Sequence, residues 1–153
     1  MKFKIIPLYS GKRAKTYTIH IAGDELNSYY KFVFALQNNY SLEILSLDEK
    51  IRNMCQHHGL DDNFFKRESP LSHNVFRVTG TGNVRLYCIK FSKVAIIVSG
   101  GGIKKAGTIK LAENPNLLSE VKFLQQIEDQ INSRIDSGEI QITNDEITGN
   151  LEF

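Results

Sequence analysis

Three apolar segments separated by very short connections set the strongest limit on what this chain can fold into. Asn74–Thr79, Asn83–Phe91 and Lys93–Ser99 are rich in Val, Ile, Phe and Tyr, and each has the length of a strand. Gly80-Thr81-Gly82 joins the first two, and Phe91-Ser92-Lys93 turns the chain into the third. Connections this short permit only antiparallel neighbours, so two consecutive hairpins are expected here.

The remaining elements follow from periodicity and caps. Residues 2–8 (KFKIIPL) read as a strand that Pro7 confines to an edge or an end, followed by a basic loop over 9–15. Residues 16–22 alternate, with Tyr17, Ile19 and Ile21 against Thr16, Thr18 and His20, which predicts a half-buried strand. Gly23 ends it, and Asp24 offers an N-cap for a helix to about Asn38 with Leu26, Tyr29, Tyr30, Val33 and Leu36 as its stripe. Ser46-x-x-Glu49 has the form of a capping box, so a second helix is expected from there. It would carry Leu47, Ile51, Met54 and Cys55 on one face and stop at Gly59. Asp61–Ser72, containing Pro70, reads as a polar connection. Gly100-Gly101-Gly102 is expected to end the sheet, with Lys104-Lys105 just beyond.

Asn114-Pro115 opens a helix to about Asp136, striped by Leu117, Val121, Leu124, Ile127, Ile131 and Ile135 and closed by Gly138. Residues 139–143 suit a last edge strand, and 144–153 an acidic, mobile tail. The order β, β, α, α, β, β, β, α predicts one α+β domain with an antiparallel sheet packed against helices. At 153 residues a single domain is expected. No apolar run approaches a membrane span and no cleavable leader is read, so the expected location is the cytoplasm. Cys55 and Cys88 form neither a disulfide framework nor a ligand spacing, and no metal or other cofactor is expected.

The net charge of +2 conceals alternating blocks. Residues 1–15 carry +5, residues 24–62 carry −4, residues 66–110 carry +8 and residues 113–153 carry −7. In the third block nine bases stand against Glu68 alone. Such blocks suit either a polyanion-facing surface or an ordinary solvated one. With a three-residue loop at Gly80–Gly82, Arg77 falls opposite Arg85 and Tyr87 shares their face. Like charges opposed on paired strands repel, and a phosphate between two guanidiniums would reverse the sign. Two solvated arginines on an open face are the alternative.

Val75-Phe76-Arg77-Val78, the glycine turn, Asn83-Val84-Arg85-Leu86-Tyr87 and Lys93-Val94-Ala95-Ile96-Ile97-Val98 together resemble the sheet of RelE/ParE/HigB-type toxins of bacterial type II toxin–antitoxin systems. Gly101-Gly102-Ile103-Lys104-Lys105 is similar to the Gly-Phe-x-Lys-Lys run of HigB-like members. The likeness covers residues 74–105 in motif and 16–136 in element order. It implies an antiparallel sheet with two helices on one side and an open basic face. It also implies a metal-independent endoribonuclease acting on mRNA in the ribosome, with a cognate antitoxin as partner.

On that likeness Arg85 contacts the phosphate, Arg77 occupies a basic position on the preceding strand, and Tyr87 stacks on a base or orients the phosphate. Lys104, Lys105, Lys90 and Lys93 supply further RNA contacts. Two features depart from the pattern: Val75 stands where one member type has a lysine, and the basic, tyrosine-bearing tail of that type has no match. The general base is therefore open, with His73 and His20 as candidates, while His57-His58 suits a helix end. A ParE-like gyrase inhibitor, or a non-catalytic module binding RNA or protein, is the alternative function. A separate expectation is that the acidic carboxyl-terminal region lies across the basic face and weakens RNA binding, with a solvated helix face and a disordered end as the alternative. Gly100–Gly102 lacks the spacing of a P-loop.

Overall fold

Both faces of the central strands are apolar, and this dictates a sheet covered on two sides. In the computed structural model, which describes residues 1–144 and 146–153, six strands form one sheet. They are β1 (Phe3–Ser10), β2 (Lys15–Ile21), β3 (Phe65–Arg67), β4 (Val75–Val78), β5 (Val84–Lys90) and β6 (Ala95–Ile103), in the spatial order β1-β2-β6-β5-β4-β3. Helices α1 (Ser28–Leu36) and α2 (Ser41–Asn53) cover one face, and α3 (Pro115–Asp136) covers much of the other. A short hairpin, β7 (Ile140–Ile142) with β8 (Ile147–Gly149), flanks α3.

Residue alternation divides the core in two. Leu86, Cys88, Ile96 and Val98 pack with Tyr29, Phe32, Leu47 and Ile51 on the α1–α2 side. Tyr87, Ile89, Ile97, Tyr17 and Ile19 pack with Val121, Leu124, Ile127 and Ile131 of α3. Complete burial of aliphatic side chains of this size contributes about 1.5–3 kcal/mol each before entropy is counted.

The α+β class and both central hairpins agree with the sequence reading, and several details need correction. The sheet is mixed, because β2 runs parallel to β6 while every other pair is antiparallel. Strand β2 is buried on both faces, since Thr16 and Thr18 are as enclosed as Tyr17 and Ile19. Their hydroxyls are satisfied by backbone donors: Thr16 accepts from the Tyr9 N–H at 3.1 Å and Thr18 from the Tyr29 N–H at 3.3 Å. Helix α1 is capped by Asn27, whose Oδ1 accepts from the Tyr30 N–H at 2.9 Å, not by Asp24. Helix α2 begins five residues before Ser46, at Ser41, because Ile44 adds a buried turn ahead of Leu47. The supposed connection 61–72 contains β3, and the three glycines lie inside β6.

The face that the family likeness leaves open is closed here by α3 along most of its length. A buried carboxylate fastens that helix: Glu128, fully enclosed, accepts from the Asn74 N–H at 2.8 Å and from its Nδ2 at 3.0 Å. Replacing Glu128 by Ala strands the Asn74 donors, and urea denaturation should show a loss of about 1–3 kcal/mol in unfolding free energy.

The carboxyl-terminal segment, expected to be mobile, is instead hydrogen-bonded along the free edge of β1. Phe3 and Phe153 exchange backbone bonds of 3.1 and 2.7 Å, and Ile5 donates to Leu151 O at 3.0 Å. The Phe3 and Phe153 rings stack at 4.5 Å, with the Arg134 guanidinium 3.7 Å from the Phe153 ring centre. This segment sits at the β1 edge, and the basic residues of β4 and β5 lie toward the other edge. In this arrangement the tail does not cover them.

Candidate anion-binding cleft

Strand parity brings one set of charges together. Lys66 pairs across the sheet with Arg77, Arg77 pairs with Tyr87, and Arg85 lies two residues before Tyr87, so all share the face on which α3 packs. Beyond the amino-terminal end of α3 that face is uncovered, and a cleft of about 320 Å³ opens. Its sheet side is made by Lys66, Glu68, Arg77, Arg85 and Tyr87. The β6–α3 connection supplies the opposite wall through Lys104, Lys110 and Asn114.

The register differs by two residues from the one that places Arg77 opposite Arg85. A shift of two keeps every side chain on its own face, whereas a shift of one would have parted the arginines. The cause lies in the turn. Gly80 and Gly82 both take positive φ, 78° and 63°, Val84 N–H donates to Thr81 O at 3.2 Å, and the Thr81 hydroxyl donates back to Val84 O. Arg85 thereby becomes diagonal to Arg77, which reduces their repulsion, and its guanidinium donates to Gly82 O at the base of the turn.

Asn114 builds the other wall. Only 4% exposed, it accepts from the Lys105 N–H at 2.8 Å and donates through Nδ2 to Thr108 Oγ1 at 3.0 Å. Its side chain thus shapes the loop instead of capping α3. The start of α3 adjoins the cleft through Asn114 and Leu117, adding the partial positive charge of a helix amino terminus.

The electrostatics are those of a cation-lined recess holding one acid. Glu68 Oε1 lies 2.9 Å from Arg77 Nε. That N–H is buried and makes no hydrogen bond, so the contact is a charge pair with poor directionality. Burial raises the Glu68 carboxyl above the usual carboxylate range, although Arg77, Lys66 and Arg85 all oppose the shift. Burial, followed by the nearby Arg77 charge, lowers the Arg85 guanidinium. The Tyr87 phenol is pushed up to about 12, first by burial and then by Glu68.

Of the residues singled out from sequence, Arg77, Arg85, Tyr87 and Lys104 meet in this cleft. Tyr87 is 1% exposed, so its ring has no free face on which a base could stack, and that role is withdrawn. Lys105 is exposed, with its backbone N–H held by Asn114. Lys90 shares the opposite face with Cys88 and pairs with Asp62 at 2.5 Å, while Lys93 sits exposed in the β5–β6 turn. His73 is held away from the cleft lining, with Nε2 2.8 Å from Asp129 Oδ1 and Nδ1 3.1 Å from Ser72 Oγ. His20 bonds to Asp24 O at 2.8 Å near the β1–β2 end. Lys66, Lys110 and Glu68 were missed as site residues. For Glu68 the signal was present, since it is the single acid among nine bases.

No described helix is long and apolar enough to cross a membrane. Comparison with protein-family models, curated proteins and solved structures finds no match to this chain.

Proposed function

We propose that this chain binds RNA through the cleft and acts as a RelE/ParE/HigB-like toxin, an endoribonuclease that cuts mRNA in the ribosome and is neutralised by a cognate antitoxin in the cytoplasm. One observation carries the reading: Arg77 and Arg85 share a recess with Lys66, Lys104 and Lys110, and among the described residues the only carboxylate lining it is Glu68. Such a recess is unfavourable to build without an anionic occupant. The two-helix layer on the far face, and the strands in sequence after it, add support from architecture.

The chemistry follows from the groups present. A phosphodiester seated between the guanidiniums accepts paired, charge-assisted hydrogen bonds. When the ribose 2′-oxygen attacks, one further negative charge develops on the phosphoryl oxygens. Fixed cations in a partly desolvated recess stabilise that charge more than they stabilise the ground state.

A second reading keeps the binding and drops the chemistry, as a ParE-like gyrase inhibitor or a non-catalytic module. The burial of Tyr87 and the placement of His73 outside the cleft favour it. Brief induction followed by mapping of RNA 5′ ends separates the two. The nuclease reading expects new 5′-hydroxyl ends within translated messages and growth arrest. Arrest with intact transcripts would instead support the binder.

A further inference from the structure

We propose that Glu68 is the proton acceptor of the cleft, held by Arg77 in the resting protein and released when a phosphodiester takes over that guanidinium. The inference rests on the nuclease reading and adds to it the residue that the sequence left open. Glu68 lines the same recess as both arginines, with its side chain 19% exposed and Arg77 Nε 2.9 Å away.

Three observations support the exchange. First, the Arg77–Glu68 contact is a charge pair without a hydrogen bond, leaving a buried Nε–H whose bonding capacity is unused. By turning away from Glu68, the Arg77 side chain can present that donor to a phosphate oxygen, and the carboxylate then loses part of its counter-charge. Second, among the described residues Glu68 is the only carboxylate lining the cleft. Third, the other titratable groups that line the cleft are cations and one phenol: Lys66 from β3, Arg77 from β4, Arg85 and Tyr87 from β5, and Lys104 and Lys110 from the β6–α3 connection, with Lys66, Arg77 and Arg85 acting on the Glu68 carboxyl directly. Burial already holds its proton affinity above the ordinary carboxylate range, and an incoming phosphate anion raises it further.

The step balances without an added oxidant or reductant. The 2′-hydroxyl proton passes to Glu68 as the O2′–P bond forms. The P–O5′ bond breaks, and the departing 5′ oxygen takes a proton from a cleft ammonium, Lys66 or Lys104. The products are a 2′,3′-cyclic phosphate and a 5′-hydroxyl end.

The test uses the full chain with ribosomes carrying a defined mRNA, either all-ribose or 2′-deoxy at the scissile nucleotide. Glu68→Gln should bind the deoxy message at least as tightly as wild type, since it removes a negative charge. It should cleave the ribose message about 10²–10⁴-fold more slowly. The wild-type rate should fall as pH drops through an acidic limb above about 4.3, the ordinary glutamate value, and Glu68→Gln should lack that limb. Glu68→Asp, matched for melting temperature, should recover part of the rate. The ¹³C-carboxyl titration of Glu68 should move to higher pH on adding the deoxy message. Cleavage by Glu68→Gln within about threefold of wild type, or an unmoved carboxyl titration, overturns the assignment while leaving the nuclease reading intact. No cleavage by the wild type overturns both.

Discussion

On the proposed nuclease function, replacing Arg85 by Ala should abolish growth arrest while leaving the fold intact. The guanidinium is only partly buried, its hydrogen bond goes to Gly82 O in its own turn, and the largest charge effect on it is repulsion by Arg77. Removing it therefore relieves charge repulsion and empties no core. Melting temperature should stay within a few degrees of wild type or rise slightly. Affinity for a phosphodiester should fall by the worth of a charged hydrogen-bonding group, about 1.5–3 kcal/mol, or roughly 10- to 100-fold. The slope of log affinity against log salt for single-stranded RNA should drop by about 0.7, the amount expected for one lost phosphate contact. The cleavage rate should fall by a further 10²–10³, as when one preorganised donor to a developing charge is lost. A variant that melts normally and still cuts mRNA at the wild-type rate would remove Arg85 from the site.

Arg85 and Arg77 were legible as a pair because strand parity is robust. The sequence placed them opposite one another across a three-residue loop, and a longer turn moved the register by two, which changed their spacing and kept their face. The same parity exposed Lys66 and Glu68 only once β3 was known to be a strand. Three residues flanked by a polar 3₁₀ turn and Pro70 carry too little periodicity to reveal it. Lys110 and Asn114 were out of reach for a different reason. Their place depends on how the β6–α3 connection folds around the buried Asn114 side chain, a matter of side-chain hydrogen bonds and not of pattern. The half-buried reading of β2 failed because Thr16 and Thr18 look polar, yet their hydroxyls are satisfied by neighbouring N–H groups inside the core. Alternation reports polarity, and polarity matches exposure only where no internal partner exists. The long helix α3 was read well because six apolar positions at helical spacing, opened by Asn114-Pro115, leave little alternative.

The glycine run shows where fold and cleft depend on one backbone contact, and Gly101→Ala should damage both. A Cβ at position 101 would sit 1.7 Å from the carbonyl oxygen of Arg85 and 3.3 Å from Leu86 Cα. Both are backbone atoms of a central strand, so no side-chain rotation can relieve the clash. The β5–β6 pairing must open instead, next to the bulge at Ser99–Gly100 that Glu120 holds through Ser99 Oγ at 2.8 Å and Gly100 N at 3.2 Å. Overpacking of this kind costs about 1–3 kcal/mol, equivalent to a fall in melting temperature of roughly 2–12 °C for a chain of this size. Gly102 provides the control. Its added Cβ would lie 3.3 Å from Leu117 Cδ2, the end of a flexible side chain at the rim of the cleft, which can give by a few tenths of an ångström. Gly102→Ala should therefore melt within about 2 °C of wild type. Because the displaced atom in Gly101→Ala belongs to Arg85 itself, RNA binding should weaken at temperatures well below the melt, where Gly102→Ala still binds normally. If the two variants were indistinguishable in both melting and binding, the close approach of β6 to the Arg85 backbone would not be what sets the geometry of the cleft.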